Sequence, residues 1–307
     1  MRIAVTGASG FCGGHVARAA VAAGHDVVCV GRRPGPVGTH VPWDAAGPAG
    51  PDLAGADAVV HLAAAVGDPR PGAAAEERFR RVNVEGTARL MDAAAGVPVV
   101  YVSSASVYAP GTHPAPVRED APTSGQRTAY GRTKAAGERV AVEAGAAALR
   151  PRAVYGSGDP HLVPRLLRAV RAGMLLLPGP DTTLSLTAVE NLADACLAAL
   201  DWPAGAYNVA DAEPYPRDRT VRDVLAALGR RARTVHIPTR FANAAAAIAV
   251  RLHPAPTLTR YAVDQLAHGL VLDLSRARVR GYSPTRTLTD FLADRAGYRQ
   301  HPPGGLP

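Results

Sequence analysis

This chain of 307 residues predicts an α/β fold: a doubly wound parallel sheet with helices on both faces, and a smaller, interleaved C-terminal α/β region. Three observations predict it. Short apolar runs alternate with helical stretches through the first half of the chain. A glycine-spaced loop, Gly7-x-x-Gly10-x-x-Gly13, joins the first run to the first helix. With 47% hydrophobic and 20% charged residues, the composition is that of an ordinary globular protein with a core to build.

The elements follow in order. Residues 2–6 read as a buried parallel strand, the loop of residues 7–13 follows, and a helix over 15–24 ends at a glycine. Residues 26–30, 57–61 and 98–102 are further apolar strands. Residues 34–55 are rich in Pro and Gly, which predicts a short, irregular crossover. Long helical patterns cover 76–95 and 129–143, and a short strand at 147–149 enters Arg150-Pro151. The pattern then loosens. Helices are expected over 161–172, 189–200, 221–228, 258–266 and 288–293, and strands over 183–187 and 207–210. The alanine-rich stretch 241–250 is too short to span a membrane and reads as a core helix or a pocket wall. Residues 298–307 are polar and Pro/Gly-rich, as in a frayed end. There is no internal repeat.

The charge balance argues against nucleic acid. The formal net charge is +8, yet the arginines are scattered, with no run longer than two, and aromatics are sparse. A small-molecule substrate and an anionic nucleotide are the expected partners. Three unpaired cysteines suit a reducing compartment, and ten dispersed histidines lack metal-ligand spacing. The first strand begins at residue 2, which leaves no room for a signal peptide, so a cytoplasmic protein is expected.

The glycine loop predicts a dinucleotide. Glycines there allow a tight turn and close backbone approach to a pyrophosphate at a helix N-terminus. Gly7, Ser9, Gly10, Phe11, Cys12 and Gly13 are the expected contacts, with Cys12 as a small packing residue. An acid at the end of the second strand would bind the adenosine ribose; this chain has Gly31-Arg32-Arg33 instead. Arg32 and Arg33 suit a 2′-phosphate, so NADP(H) is expected over NAD(H). Residues 1–155 form the expected NADP-binding domain, to which the strands and helices of 183–210 return. Residues 156–307 form the substrate-binding region and lid.

The chemistry centres on Tyr130 and Lys134. Of 34 basic side chains, Lys134 is the single lysine. Spacing i, i+4 puts it on the same helix face as Tyr130. An ammonium there favours the ionised phenol, making Tyr130 an acid or base for neutral pH.

With these residues in view the chain resembles the extended short-chain dehydrogenases/reductases, the NAD(P)-dependent epimerase/dehydratase family, with its Rossmann-type sheet. The resemblance is carried by Thr6-Gly-Ala-Ser-Gly-Phe-Cys-Gly13, Asp57-Ala-Val-Val-His-Leu-Ala-Ala64, Asn83-Val-Glu-Gly-Thr87, Tyr101-Val-Ser-Ser-Ala-Ser-Val-Tyr108, Tyr130-x-x-x-Lys134 and Leu149-Arg-Pro-Arg-Ala-Val-Tyr-Gly156. It implies Tyr130 as catalytic acid/base, Lys134 on the nicotinamide ribose, and Ser104 holding the reacting oxygen. It implies Leu62, Ala63, Ala64, Pro151 and Val154 along the cofactor, and Asp44, after the third strand, near adenine. Asn83 would tie helix to strand. Ser104, Ala105, Tyr130, Leu162 and Leu186 are the expected substrate contacts. The helices of 76–95 and 129–143 would pair a homodimer.

Departures from the family narrow the branch. Its dehydratases carry an Asp-Glu pair where Ala105 and Ser106 stand, so that elimination is not expected. Its sugar-nucleotide epimerases carry an asparagine at Ala153 and an arginine at Leu184; both losses remove diphosphate donors. An uncharged, apolar substrate end is expected instead. The segments around 149–167, 184–191 and 258–266 are similar to the 3-beta-hydroxysteroid dehydrogenase-like ketoreductases. These act on a ketone or secondary alcohol of a bulky apolar molecule, and the composition suits secondary metabolism. A sugar-nucleotide 4-ketoreductase or epimerase is the alternative.

Overall fold

The computed structural model describes residues 1–67, 72–113, 116–160, 162–252 and 258–294. His161 and the expected tail of 298–307 lie outside the described residues. The chain opens with β1 (Arg2–Thr6), in which Ile3, Ala4 and Val5 are fully buried. Burying each such branched side chain contributes about 1.5–3 kcal/mol, so the strand is fixed by its own composition. Then α1 (Phe11–Ala22) begins four residues earlier than the apolar period suggests. Its start follows from the loop, which closes as Gly10 N–H donates to the Gly7 carbonyl at 2.9 Å. A Cβ on Gly13 would lie 2.3 Å from that carbonyl oxygen, so only glycine lets the helix begin this close to β1.

β2 (Asp26–Gly31) and β3 (Thr39–Pro42) follow, so the Pro/Gly-rich crossover holds an edge strand. After β4 (Ala58–His61), α2 (Ala73–Arg80) runs through a π turn at Arg81–Glu85 into α3 (Gly86–Ala93). β5 (Val99–Val102) leads by a 3₁₀ turn at Ala105–Val107 toward α4 (Ala129–Glu143) and β6 (Ala147–Pro151). Next come β7 (Val154–Tyr155), α5 (Leu162–Ala169), β8 (Met174–Pro178), β9 (Thr183–Leu184), β10 (Thr187–Ala188), α6 (Val189–Ala198) and β11 (Gly205–Val209).

Seven strands form one parallel sheet in the order β11-β6-β5-β4-β1-β2-β3. This is the Rossmann-type doubly wound arrangement, whose ligand crevice lies beyond the carboxyl ends of the strands, where the order reverses next to β1. On one face, α1 and α6 cover Ile3, Val5, Val100 and Leu149; on the other, Leu90, Met91 and Ala141 cover Ala4, Val59 and Tyr101.

The remainder forms a second lobe with β12 (Tyr215–Pro216), α7 (Arg217–Ala227), β13 (Arg233–Ile237), α8 (Thr239–Leu252), α9 (Arg260–Ala267) and α11 (Leu288–Ala293), while α10 (Ser275–Val279) returns to the main core, where Ala277 packs with Val209. The strands of the lobe pair two by two: β10 with β7, β12 with β9, and β13 with β8. The expected strand at 183–187 is therefore two short strands with different partners. The pair of β8 with β13 is absent from the sequence reading. β8 carries alternating burial, Leu175 and Leu177 inward against Val221 and Leu225. The alanine-rich α8 buries Ala242 and Ala246 against Val263 of α9 and leaves Phe241 and Ile248 exposed.

Candidate active site

The carboxyl ends of β1 and β4 are locked by buried polar groups. Thr6 Oγ1 accepts the N–H groups of Leu62 and Ala63 at 3.0 Å each, so its own hydrogen goes to His61 Nδ1 at 2.7 Å. His61 Nε2 then donates to Thr87 Oγ1 at 3.2 Å. Burial holds His61 neutral, its pKa pulled down to about 3. This network fixes the backbone of Leu62 and Ala63 beside the glycine loop. A Cβ on Gly7, where φ is +68°, would lie 2.9 Å from Ala63 N. Thr6 and His61 escape sequence reasoning as site-shaping groups because each pairs with residues distant in sequence.

The loop fits a dinucleotide. The N-terminus of α1 has Gly10 as its cap residue, with no side-chain cap and no acid in the first turn. Its free N–H groups suit a pyrophosphate. Gly7, Ser9, Gly10, Phe11, Cys12 and Gly13 all belong to this turn. Cys12 is a packing thiol, not a reactive one: burial, reinforced by Asp159, pushes its pKa up to about 12. Arg32 and Arg33 stand exposed just past the end of β2. Asp44 is also exposed and closes a turn by accepting from Ala46 N–H at 3.0 Å. Pro151 ends β6, and Val154 lies in β7, partly buried against the main core.

Ser104, Tyr130 and Lys134 are set by β5 and α4. Thr128 caps α4 by accepting from Gly131 N–H at 3.0 Å. A Cβ on Gly137 would lie 2.1 Å from the Asn83 carbonyl, so α4 packs backbone to backbone on the π turn. Asn83 holds this junction as expected, accepting from Ala65 N–H at 2.7 Å and donating to Ala65 O at 3.1 Å and Thr133 Oγ1 at 3.0 Å. Lys134 is buried, and its Nζ donates to Tyr101 Oη at 2.7 Å and to the Val102 carbonyl at 2.8 Å.

Burial raises the Tyr130 phenol well above its usual pKa, with Tyr261 acting in the same direction and a hydrogen bond with Ser104 opposing them. Burial takes Lys134 itself down to about 7, against an upward pull from Glu138. Tyr130 is thus a protonated donor at neutral pH.

Beyond Ser104 the hydroxyls continue. Ser104 Oγ donates to Ser106 Oγ at 3.1 Å, and Ser106 Oγ meets Tyr261 Oη of α9 at 2.7 Å. Arg127 binds Asp264 of the same helix at 2.8 Å, tying the lobe over β5. Ala105 lies in this turn and is buried. Of the expected substrate contacts, Leu186 is 3% exposed and packs with Tyr155, Val163 and Leu288, and Leu162 packs against the same cluster. Tyr261 was missed, since nothing local marks a helical tyrosine as facing a distant serine.

A nucleotide-binding loop joined to a serine–tyrosine pair beside a buried lysine defines an NAD(P)-dependent oxidoreductase. The chain belongs to the NAD dependent epimerase/dehydratase family, whose model matches residues 3–210. It is 32% identical to the 2-alkyl-3-oxoalkanoate reductase of Stenotrophomonas maltophilia (strain K279a), over 95% of this chain and 97% of that protein. It is 29% identical to the 3-beta-hydroxysteroid dehydrogenase of Mycolicibacterium neoaurum, over 95% of this chain and 90% of that one. Among solved structures, MoeE5 in complex with UDP-glucose and NAD superposes with a TM-score of 0.73 at 26% identity, over 98% of this chain and 99% of that chain. Among the described residues no helix is long and apolar enough to cross a membrane.

Proposed function

We propose that the chain is an NADPH-dependent ketoreductase, or alcohol dehydrogenase in reverse, acting on a ketone or secondary alcohol of a bulky, largely apolar molecule. The observation that carries the reading is the Ser104–Tyr130 pair above an uncapped glycine loop, with the phenol held protonated by burial. The nicotinamide, when bound, supplies the hydride. Ser104 holds the substrate oxygen, and Tyr130 gives that oxygen its proton. The phenolate left behind is stabilised by the Ser104 hydroxyl and by Lys134, whose ammonium the Val102 carbonyl and Tyr101 hold in place. Residues 1–155 hold the cofactor, with 183–210 returning to them, and 156–307 form pocket and lid. The two relatives named above act on 3-oxoalkanoates and hydroxysteroids by their names, which supports a ketone or alcohol on a large apolar frame.

A sugar-nucleotide 4-ketoreductase or epimerase is the second reading, favoured by the likeness to MoeE5. Against it, the positions where donors are wanted hold Ala153 and the buried Leu184. The proposal includes a cytoplasmic homodimer paired through α2, α3 and α4, serving secondary metabolism.

Tyr130→Phe tests the chemistry. It keeps NADPH binding, followed by fluorescence titration, and lowers turnover by about 10²–10⁴-fold. Unchanged turnover refutes the role.

A further inference from the structure

Arg152 is a buried charge with no ion-pair partner among the described residues. It follows β6 and is 4% exposed. Its Nη1 donates to the Ser185 carbonyl at 3.2 Å and its Nη2 to the Gln265 carbonyl at 3.2 Å. Its Nε–H is buried and has no partner among the described residues. A guanidinium carries five N–H donors, and these two carbonyls use two of them.

The other buried arginines are matched by acids. Arg150 pairs with Glu138 at 2.5 Å, and Arg217 with Asp218 at 2.9 Å. Arg152 has no carboxylate partner among the described residues. Asp264, which lines the same cavity, is bound to Arg127. A buried cation without a counter-ion is costly, and the cost is visible in a pKa drawn down to about 10 by burial.

The position of this charge gives it a use. Arg152 lines a cavity with Ser106, Tyr108, Gln126, Tyr261 and Gln265. Ser106 joins that cavity to Ser104, and Tyr261 acts electrostatically on both Tyr130 and Arg152. The hydroxyl chain Ser104–Ser106–Tyr261 therefore ends in the cavity that Arg152 lines. We infer that Arg152 receives a carboxylate of the substrate, close in the molecule to the ketone held by Ser104 and Tyr130. The substrate class is a 3-oxo acid with a bulky apolar tail, reduced to the 3-hydroxy acid with its carboxylate intact. This rests on the ketoreductase reading and replaces the uncharged substrate end expected from the sequence. A single guanidinium edge matches a planar carboxylate.

The test uses purified protein and a pair of probes, a freshly prepared 2-alkyl-3-oxoalkanoate and its methyl ester. NADPH consumption is measured for the unaltered protein, Arg152→Met and Arg152→Lys. The unaltered protein should prefer the acid in kcat/KM by about 100-fold. That preference should fall to within about 3-fold in Arg152→Met and be partly kept in Arg152→Lys. Equal use of acid and ester by the unaltered protein overturns the inference, and this arm needs no variant to fold. A preference that survives Arg152→Met, in protein with normal melting temperature and NADPH affinity, overturns it too; both results leave the ketoreductase reading standing. If neither probe is turned over, that reading fails for these ketones and calorimetry decides. With NADP⁺ present, the 3-hydroxy acid should then bind at least about 10-fold tighter than its ester, and lose that margin in Arg152→Met. Equal binding of acid and ester overturns the inference.

Discussion

The seven-stranded sheet and the second lobe bury their interiors differently. In the sheet, runs such as Ile3-Ala-Val5 and Ala58-Val-Val60 are fully buried in parallel ladders four or five residues long. In the second lobe, β9, β10 and β12 are two residues each, and buried polar groups do the joining. Asp211 alone accepts from Tyr155 at 2.6 Å, Asn191 at 2.8 Å, Tyr215 at 2.9 Å and Ala188 N–H at 2.8 Å. Arg217 and Asp218, with His236 at 2.5 Å from Asp218, serve the same purpose around α7. A ladder of apolar residues is regular and gives a fixed platform for a common cofactor. A lobe built from separate strand pairs, small apolar clusters and polar contacts can change its lining without losing its fold, which would suit the substrate-binding role proposed for it.

Breaking the platform at its buried charge should have the largest effect on stability. Glu138 on α4 and Arg150 on β6 are buried together, and Arg150 also donates to Tyr108 Oη at 3.0 Å. Glu138→Gln leaves Arg150 uncompensated and should cost about 3–5 kcal/mol in urea unfolding. A loss below about 1 kcal/mol would mean that the sheet does not depend on this pair.

Cofactor choice is a smaller effect. Arg32→Asp should weaken NADPH by about 10–100-fold, as expected for losing a charge-assisted phosphate contact, and barely change NADH. Equal losses for the two cofactors would sink the preference for NADPH.

The pH dependence is smaller again. Lys134 has a pKa of about 7 in the folded chain, below its ordinary 10.5. Between those values the unfolded chain holds a proton that the folded one lacks, so stability rises with pH across that window; below about 7 the buried ammonium opposes folding in full. Unfolding midpoints without cofactor at pH 6.5 and 9 should differ in this sense, and Lys134→Met should flatten the difference. An unchanged slope in the variant would assign the pH effect elsewhere.

What the sequence disclosed follows the same division. Six strands of the sheet were legible because each carries a short, contiguous apolar run; β3, Thr-His-Val-Pro at the sheet edge, carries none and was read as irregular crossover. The glycine loop and the Tyr130–Lys134 spacing were legible because their parts lie within a few residues. The start of α1 was misread because glycines hide the helical period where packing on Gly7 demands them. Leu162 and Leu186 read as pocket residues from apolarity alone, and apolarity does not tell a core from a cavity. Arg152, Tyr261 and the Thr6–His61 lock depend on partners distant in the chain, from about 25 to more than 150 residues away. The β8–β13 pair was missed although Gly173 and Gly179 bracket an apolar run, because its partner strand mixes polar and apolar residues without clear alternation.

The most direct test of the central claim is NADPH consumption on three ketones: a bulky 3-oxo acid, a polycyclic 3-ketosteroid and a dTDP-4-keto sugar, with Tyr130→Phe as control. The account predicts Tyr130-dependent reduction of at least one of the first two and none of the keto sugar. Reduction of the keto sugar alone would contradict it and make the sugar-nucleotide reading the right one.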